Sequence, residues 1–250
     1  MTKILANDGI SQAGIDALTS KGFSISTEHV AQDDLINSIN KGKYEVLLVR
    51  SATTVRKNLI DACPHLKIIG RGGVGMDNID VDYAREKGIK VINTPAASSA
   101  SVAELVFAHL FGMVRFLFDS NRQMPIIGDS DFKGLKKSYA KGKELGGKTL
   151  GIIGFGRIGQ EVAKKAIGLG MNILAHDKFI KEASITLEFF NGDKKSFTIE
   201  TAKLNNVLSN SDFITLHVPK TGNKAVIGAE EIGMMKTGAG IINTSRGGLI

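Results

Sequence analysis

Short apolar runs alternate with amphipathic segments through the first part of the chain. The apolar runs are four or five residues long and lie at residues 3–6, 23–26, 45–49, 66–69 and 89–92. Such runs predict buried strands. Between them, apolar positions recur at the spacing of one helix face, at residues 10–20, 33–40, 55–62 and 80–87. This alternation predicts a parallel, doubly wound sheet with helices on both faces.

A longer apolar segment follows at residues 98–118. Its apolar residues occupy nearly every face of the predicted helix. A helix that is hydrophobic all round is expected to be buried, here between domains or between subunits. After it the chain is polar and rich in glycine and lysine as far as Gly147, which predicts a linker and a surface segment.

A glycine-rich turn follows the apolar run at residues 150–153. Its glycines are spaced G-x-G-x-x-G, at Gly154, Gly156 and Gly159. A helical pattern comes next, and the following apolar run leads to Asp177. Strand, glycine turn, helix, strand and acid form the context that a dinucleotide fingerprint requires. The alternative is a glycine-rich turn in another kind of α/β domain, with a solvated acid at a strand end.

Each part of this fingerprint has a physical role. Gly154 permits the tight turn, Gly156 lets the backbone approach a pyrophosphate, and Gly159 lets helix and strand pack closely. The N–H groups of the first helical turn face the phosphate charge. Asp177 would accept hydrogen bonds from ribose hydroxyls and repel a 2′-phosphate, so the sequence favours NAD over NADP.

The sequence therefore predicts two doubly wound domains in tandem. Residues 1–97 would form a flavodoxin-like, substrate-binding domain, and residues 98–250 a Rossmann domain that binds NAD. Further strands of the second sheet are predicted at residues 213–217 and 240–243.

Two β-rich runs between residues 185 and 199 flank the pair Asn191-Gly192. Asn-Gly is a favoured pair for a tight hairpin turn, so we predict a β-hairpin there. Its role is not evident from the residues, and we assign it to decoration or to a partner contact.

Composition narrows the class of protein. The chain has 250 residues, of which 42% are hydrophobic and 23% charged, as in ordinary globular proteins. No apolar run approaches the ~20 residues that span a bilayer. Cys63 is the only cysteine, which fits a reducing compartment and leads us to expect a cytoplasmic protein. No metal site is predicted.

The net charge of +7 raises the question of nucleic-acid binding. The lysines are scattered, however, and the densest group lies at residues 133–148. Aromatic residues make up 6% of the chain, and tryptophan does not occur. A solvated surface that mildly steers anionic ligands explains the charge more simply.

Polar residues and glycines gather where the predicted strands end. Ligands of open α/β sheets bind beyond these carboxyl ends, which here are followed by residues 50–54, 71–78, 93–95, 217–219 and 243–248. Arg50 and Arg246 lie in such segments, and the planar fork of arginine suits a carboxylate or phosphate. A surface salt bridge is the alternative for either. The Gly73-x-Gly75 turn is suited to binding an anion through backbone N–H groups.

Five of these segments together resemble the D-2-hydroxyacid dehydrogenase family, at residues 71–80, 93–95, 154–159, 217–219 and 243–248. They span nearly the whole chain in the family's order. Residues 50–53 and 74–78 most resemble the branch that oxidises D-3-phosphoglycerate. The resemblance implies a homodimer formed through the NAD domain, and hydride transfer from C2 of this small anionic substrate to NAD, which opens serine biosynthesis.

The resemblance also implies roles for single residues. Arg246 matches the catalytic arginine, which holds the substrate carboxylate and polarises the carbonyl oxygen. Ser51, Val74 and Gly75 match substrate contacts of the family, and the predicted substrate-binding set also includes Arg50 and Ser98. The matched cofactor contacts are Gly154, Gly156, Arg157, Ile158, Gly159, Asp177, His217, Val218, Pro219, Thr244 and Ser245.

The chain departs from the family pattern in two ways. The family often has an asparagine where this chain has the shorter Ser98. The family's arginine also acts with a downstream glutamate and a histidine that serves as general acid and base. None of the five histidines has that position, namely His29, His65, His109, His176 and His217. We therefore expect this chain to be part of a longer enzyme, with further strands and a segment that returns to the first domain.

Two other functions stay open at this stage. A sister enzyme that acts on glyoxylate or hydroxypyruvate would carry the same motifs. A non-catalytic NAD-binding module with a protein partner would share the fold, because a fold does not determine a function.

Overall fold

The computed structural model describes residues 1–220, 222 and 224–250. Contacts divide the chain into two compact units, Met1–Ser98 and Ser99–Ile250. Each unit is built on a parallel sheet with helices between its strands. The predicted α/β fold class is confirmed.

The first unit holds a five-stranded sheet. Its strands are β1 (Lys3–Ala6), β2 (Ser24–Ser26), β3 (Val46–Val49), β4 (Ile68–Arg71) and β5 (Lys90–Asn93). Its helices are α1 (Gln12–Ser20), α2 (Leu35–Gly42), α3 (Lys57–Ala62) and α4 (Val81–Glu86). Neighbouring strands are parallel in the order β2-β1-β3-β4-β5, which is the flavodoxin-like order. Every element lies within two residues of its predicted bounds.

The centre of this sheet is apolar on both faces because helices cover it. Leu5, Leu47 and Ile69 lie opposite one another on adjacent strands and are at most 1% exposed. Leu35 and Ile39 of α2 pack into the same core, because residues four apart share one helix face. Burying an aliphatic side chain contributes about 1.5–3 kcal/mol. A one-residue slip would expose this layer, so its burial fixes the strand register.

The second unit has a four-stranded sheet and a separate hairpin. Its strands are β6 (Thr149–Ile153), β7 (Asn172–His176), β8 (Glu182–Glu188), β9 (Lys194–Glu200), β10 (Phe213–Leu216) and β11 (Gly240–Asn243). Its helices are α5 (Ser99–Val114), α6 (Leu117–Tyr139), α7 (Arg157–Gly168), α8 (Leu204–Asn210) and α9 (Ala229–Met234). The sheet is parallel in the order β11-β10-β6-β7. The apolar pattern did not predict α8 and α9.

The segment after the first unit differs from its prediction. Helix α5 ends at Val114, because Phe116 adopts a left-handed backbone conformation with φ of +55°, and α6 follows at an angle of 55°. The predictions of one helix over residues 98–118 and of a linker after it are therefore wrong. Within residues 1–220, 222 and 224–250, no single helix is long and apolar enough to span a membrane, and only α5 and α6 together across their bend meet that length and composition.

Within this unit only one face of α5 is buried, and the expected burial of its other side between domains or subunits stays a prediction. One face packs into the core through Ala103, Val106, Phe107, Leu110 and Val114. On the other side Leu105 and Phe111 are exposed. Helix α5 is therefore a core helix on one face and carries an apolar surface on the other.

The predicted hairpin is confirmed, since β8 and β9 pair antiparallel around Asn191-Gly192. Its inner face belongs to the core of the second unit, because Ile185 is 1% exposed and packs in the cluster that contains the α7 side chains. Beyond it, Thr201 forms a bridge with Ala175 of the edge strand β7. The assignment of the hairpin to decoration is therefore wrong for this inner face, which helps to cover a sheet edge.

Candidate functional site

The glycine turn has the geometry that its sequence predicts. Gly154 directly follows β6 and has φ of +95°, a conformation that favours glycine. A Cβ atom there would lie 2.5 Å from the carbonyl oxygen of His217, and one on Gly159 would overlap the carbonyl oxygen of Gly154. Around Gly156, by contrast, a Cβ would meet no heavy atom within 4 Å. The turn is packed on the protein side and open where a ligand would approach.

Helix α7 begins directly at this opening. Gly156 is its N-cap, and Arg157 and Ile158 form its first turn. The backbone N–H groups of a first turn have no partner within their own helix. Together with the helix dipole they suit a phosphate group.

Asp177 follows β7 and is held by backbone groups. Its carboxylate accepts hydrogen bonds from the N–H groups of Phe155 at 2.7 Å, Phe179 at 2.8 Å and Ile180 at 3.0 Å. Partial burial acts to raise the pKa of Asp177, but these hydrogen bonds outweigh it, and the pKa lies below its ordinary value. The ionised side chain thus ties the end of β7 to the glycine turn.

His217 follows β10, and its ring is largely enclosed. Burial lowers the pKa of His217 to about 4, so the ring is neutral at physiological pH. Its Nε2 lies 3.0 Å from Oγ1 of Thr215. Its Nδ1 is buried and has no hydrogen-bond partner among the residues that the structure describes. The next residues, Val218 and Pro219, carry the chain outward, and Val218 flanks Gly154.

The loop after β11 holds the other predicted residues of this edge. The Ser245 hydroxyl donates to the carbonyl of Leu216 at 2.5 Å, which anchors the loop to the end of β10. Asn243 Nδ2 donates to the carbonyl of Arg246 at 2.8 Å, and Arg246 Nη1 donates to the carbonyl of Ser245 at 2.9 Å. Oγ1 of Thr244 is buried without a hydrogen-bond partner in the described part of the chain.

This edge fits a bound dinucleotide. The open turn at Gly156 leads into the N-terminus of α7, and Asp177 stands beside it in ionised form. Buried polar atoms without a partner are uncommon in proteins. Two of them, His217 Nδ1 and Thr244 Oγ1, occur in predicted cofactor residues.

The first unit has its own cavity, of about 690 Å³, at the carboxyl ends of β1, β3, β4 and β5. Arg50 lines it, as does Arg71, which the predicted set of site residues did not include. The other predicted substrate residues lie outside its lining. Ser51 and Val74 are exposed, Gly75 is half-buried after β4, and Ser98 is half-buried in the turn that ends this unit.

Arg71 owes its position to a glycine. A Cβ atom on Gly73 would overlap the guanidinium group of Arg71, so the side chain lies across the space that this glycine leaves. Arg71 Nη1 also donates to the carbonyl of Gly72 at 3.2 Å. Its place at the end of a buried strand was the signal that could have identified it.

Asp8 is a second residue that sequence reasoning missed. Its carboxylate accepts hydrogen bonds from the N–H groups of Arg50 at 2.6 Å and Thr53 at 3.1 Å, and from the Thr53 hydroxyl at 2.6 Å. From the opposite side, Asn78 Nδ2 donates to the carbonyls of Arg50 at 2.8 Å and Thr53 at 2.7 Å. These two side chains hold the loop that carries Arg50.

The charge of Asp8 is favoured by the same contacts. Partial burial acts to raise the pKa of Asp8, but the hydrogen bonds from Thr53 and Arg50 outweigh it, and the pKa lies below its ordinary value. Asp8 follows β1, so the rule that ligand-site residues gather at carboxyl ends of strands would have identified this position too.

Comparison with known proteins agrees with this geometry. Residues 107–250 match the model of the D-isomer specific 2-hydroxyacid dehydrogenase, NAD binding domain. The chain belongs to the D-isomer specific 2-hydroxyacid dehydrogenase family. The predicted family and the predicted cofactor, NAD, are both confirmed. The described residues contain no cluster of three or more His, Cys, Asp or Glu side chains that could hold a metal ion.

Similar proteins within the family carry the names of two different enzymes. The chain is 42% identical to the hydroxypyruvate reductase of Thermotoga maritima, over 99% of this chain and 75% of that protein. It is 41% identical to the D-3-phosphoglycerate dehydrogenase of Methanocaldococcus jannaschii, over 100% of this chain and 45% of that protein. The chain thus spans less than half of that relative's length. The NAD⁺-bound 3-phosphoglycerate dehydrogenase of Entamoeba histolytica has a similar structure, with a TM-score of 0.75 at 29% identity, over 100% of this chain and 73% of that chain.

We expect Asp8→Asn to lower the free energy of unfolding at pH 7 by about 2 kcal/mol, because hydrogen bonds to a charged group contribute about 1.5–3 kcal/mol. The folded-state pKa of Asp8 is depressed, so its contribution is present above the unfolded-state pKa of about 3.9. It is lost as the pH falls through the folded-state pKa. Urea denaturation across this range measures the effect.

Asp33→Asn, at an exposed position of the same unit, is the matched control for Asp8→Asn and should leave stability within about 0.5 kcal/mol. The stability gap between wild type and Asp8→Asn should close in acid. A gap that does not shrink as the pH falls below the unfolded-state pKa of about 3.9 would contradict the assignment.

Gly156→Ala should weaken NAD binding at least about tenfold, because its methyl group would enter the space where backbone approaches the pyrophosphate. The φ of −72° and the open surroundings make alanine tolerable to the fold. Gly168→Ala, at the other end of α7 and equally open, should bind NAD as wild type does. Titration calorimetry measures the affinity of both variants for NAD.

Wild type should bind NADP more weakly than NAD, because Asp177 would repel the 2′-phosphate. Equal affinities for the two cofactors would exclude the role given to Asp177.

Proposed function

We propose that this protein is an NAD-dependent dehydrogenase that oxidises D-3-phosphoglycerate to 3-phosphohydroxypyruvate, the first step of L-serine biosynthesis. The observation that carries this proposal is the pair Arg50 and Arg71, which line one cavity at a carboxyl edge. The substrate has a phosphate and a carboxylate. Guanidinium groups bind such anions through two parallel hydrogen bonds, which a lysine does not provide.

The contacts of the protein's residues support the roles that we assign to them. NAD, when bound, would supply the acceptor for the hydride on C2 of the substrate. We assign binding of the pyrophosphate to the α7 N-terminus at Gly156 and of the ribose hydroxyls to Asp177. Neutral His217 and the buried hydroxyl of Thr244 offer polar atoms to the cofactor.

Arg246 is assigned to the reacting end of the substrate. Its guanidinium would hold the carboxylate and stabilise the negative charge that develops on the carbonyl oxygen. Anchoring of its loop by Ser245 and Asn243 supports this role, because a fixed donor does not reorganise during the reaction. The family's histidine and glutamate have no counterpart in this sequence, so we assign the hydroxyl proton to no residue here.

Hydroxypyruvate is the second candidate substrate. The observation in its favour is the 42% identity to a hydroxypyruvate reductase, which covers 75% of that relative. Reduction of hydroxypyruvate would use the same residues for NAD and the same arginine at the carbonyl group. Hydroxypyruvate has no phosphate, so one of the two arginines that line the first unit's cavity, Arg50 and Arg71, would have no anionic group to bind.

The two candidates differ by one phosphate group, so binding separates them. With NADH present, so that a 2-hydroxy acid cannot be oxidised, D-3-phosphoglycerate should bind at least about tenfold more tightly than D-glycerate by titration calorimetry. Arg71→Met should remove most of this preference and leave D-glycerate binding unchanged, because only the phosphate would lose its partner. Arg85→Met, at an exposed arginine of the same unit, is the control and should bind both ligands as wild type does.

Two other outcomes of this experiment would each favour a different function. Tighter binding of D-glycerate would favour the hydroxypyruvate reaction. Binding of NADH without either acid would favour a non-catalytic NAD-binding module.

We infer that the protein forms a homodimer through α5 and α6. Large apolar side chains are exposed along both helices, at Leu105, Phe111, Leu117, Phe118, Ile126 and Phe132. Clustered apolar side chains on a surface mark interaction sites. The second copy of the chain is the partner that the family resemblance implies.

Light scattering after size exclusion tests the dimer. Wild type should have twice the mass of one chain, and Ile126→Lys with Phe132→Lys should give the monomer mass, because burying an unpaired charge is costly. Phe190→Lys, at an exposed aromatic residue of the hairpin tip, should stay dimeric. A monomeric wild type would exclude this assembly.

A further inference from the structure

A cavity in the NAD-binding unit has no role in the proposed reaction. Its volume is about 330 Å³, close to the lower limit for small-molecule sites. It is lined by Met113, Val114, Phe116, Lys141, Lys143, Lys148, Asp212, Phe213, Lys236, Thr237, Gly238 and Ala239.

The cavity lies at the opposite edge of the sheet from the cofactor residues. Lys148 directly precedes β6, Asp212 precedes β10, and Ala239 precedes β11. These are the amino ends of the strands, whereas the glycine turn and Arg246 follow their carboxyl ends. With ~3.3 Å per residue, strands of this length separate the two edges by more than 10 Å. A molecule in this cavity would leave the cofactor edge open.

The lining is strongly basic. Four lysines contribute to it, against the single carboxylate of Asp212. That carboxylate accepts a hydrogen bond from the N–H of Thr149 at 2.8 Å and pairs with Lys236 at 3.1 Å. Lys141, Lys143 and Lys148 therefore supply three positive charges in excess, which favour an anion. All three belong to the lysine-rich stretch at residues 133–148.

Much of the remaining wall comes from apolar residues. Met113 and Val114 end α5, and Phe116 and Phe213 line the same cavity. An inorganic anion would leave this surface without a partner. A molecule with a carbon body, and above all a ring, would bury apolar area there, which favours binding.

The backbone around the cavity is fixed before any ligand binds. The N–H of Lys143 donates to the carbonyl of Val114 at 3.0 Å, and the carbonyl of Lys148 accepts from Asn172 at 2.8 Å. The carbonyl of Asp212 accepts from the N–H of Gly240 at 3.1 Å. A preformed wall lowers the entropic cost of binding.

We propose that this cavity is a binding site for a small organic phosphate monoester that carries a single ring. The phosphate would lie among Lys141, Lys143 and Lys148, and the ring would pack between Phe116 and Phe213. The site is separate from the proposed dehydrogenase reaction and does not depend on it.

Phenyl phosphate is the probe, titrated by calorimetry into the chain saturated with NAD, so that the pyrophosphate site is filled. We expect one site per chain. Inorganic phosphate should bind at least about tenfold more weakly, because it lacks the ring. The double variant Lys141→Ala, Lys143→Ala should also lose at least about tenfold in affinity for phenyl phosphate.

The control is Lys133→Ala with Lys195→Ala, which removes two exposed lysines of the same unit outside the cavity. It should bind phenyl phosphate as wild type does, and both double variants should keep wild-type affinity for NAD, which shows that the fold is intact. Three results would each overturn the proposal. These are unchanged affinity in Lys141→Ala, Lys143→Ala, equal affinity for phenyl phosphate and inorganic phosphate, and a loss of binding in Arg71→Met.

Discussion

Close packing of backbone against backbone at Gly154 determines the cofactor edge of the second unit. The turn lies so near the carbonyl of His217 that no side chain fits between them, and Gly159 brings α7 equally close to the carbonyl of Gly154. Asp177 completes the arrangement by accepting from the N–H of Phe155. Three strand ends and one helix N-terminus are thereby held around a single turn, and the open side at Gly156 is a direct result.

The first unit orders its own edge mainly through hydrogen bonds. Asp8 and Asn78 hold the Arg50 loop through hydrogen bonds from both sides. Steric packing of glycines is indifferent to pH, whereas a charged acceptor loses its strength when it is protonated. Asp177 is such an acceptor in the second unit, so acid weakens the hydrogen bonds at both edges, and the glycine packing of the second unit is the part that does not titrate.

Much of the fold could be predicted because its signals are local. The strands of the first unit follow from short apolar runs, and the hairpin follows from Asn191-Gly192. Helix α6 was missed because Pro125 and a polar composition argue against a helix. The burial of Ile185 and the hold of Asp8 on the Arg50 loop depend on residues distant in sequence, for which periodicity has no signal. At the site, the glycine motif was predictable for the same local reason, whereas the lack of a partner for Thr244 Oγ1 among the described residues was not.

The hairpin closes at its base, where the N–H of Thr201 donates to the carbonyl of Lys181 at 2.8 Å. Because the chain leaves and returns at nearly the same point, the hairpin can change in length without displacing the residues on either side. The tip around Phe190 is exposed, and the entropic cost of a longer loop grows only slowly with length. This part of the molecule can therefore diverge in size and sequence, or accept a foreign peptide, without moving the acid that precedes it.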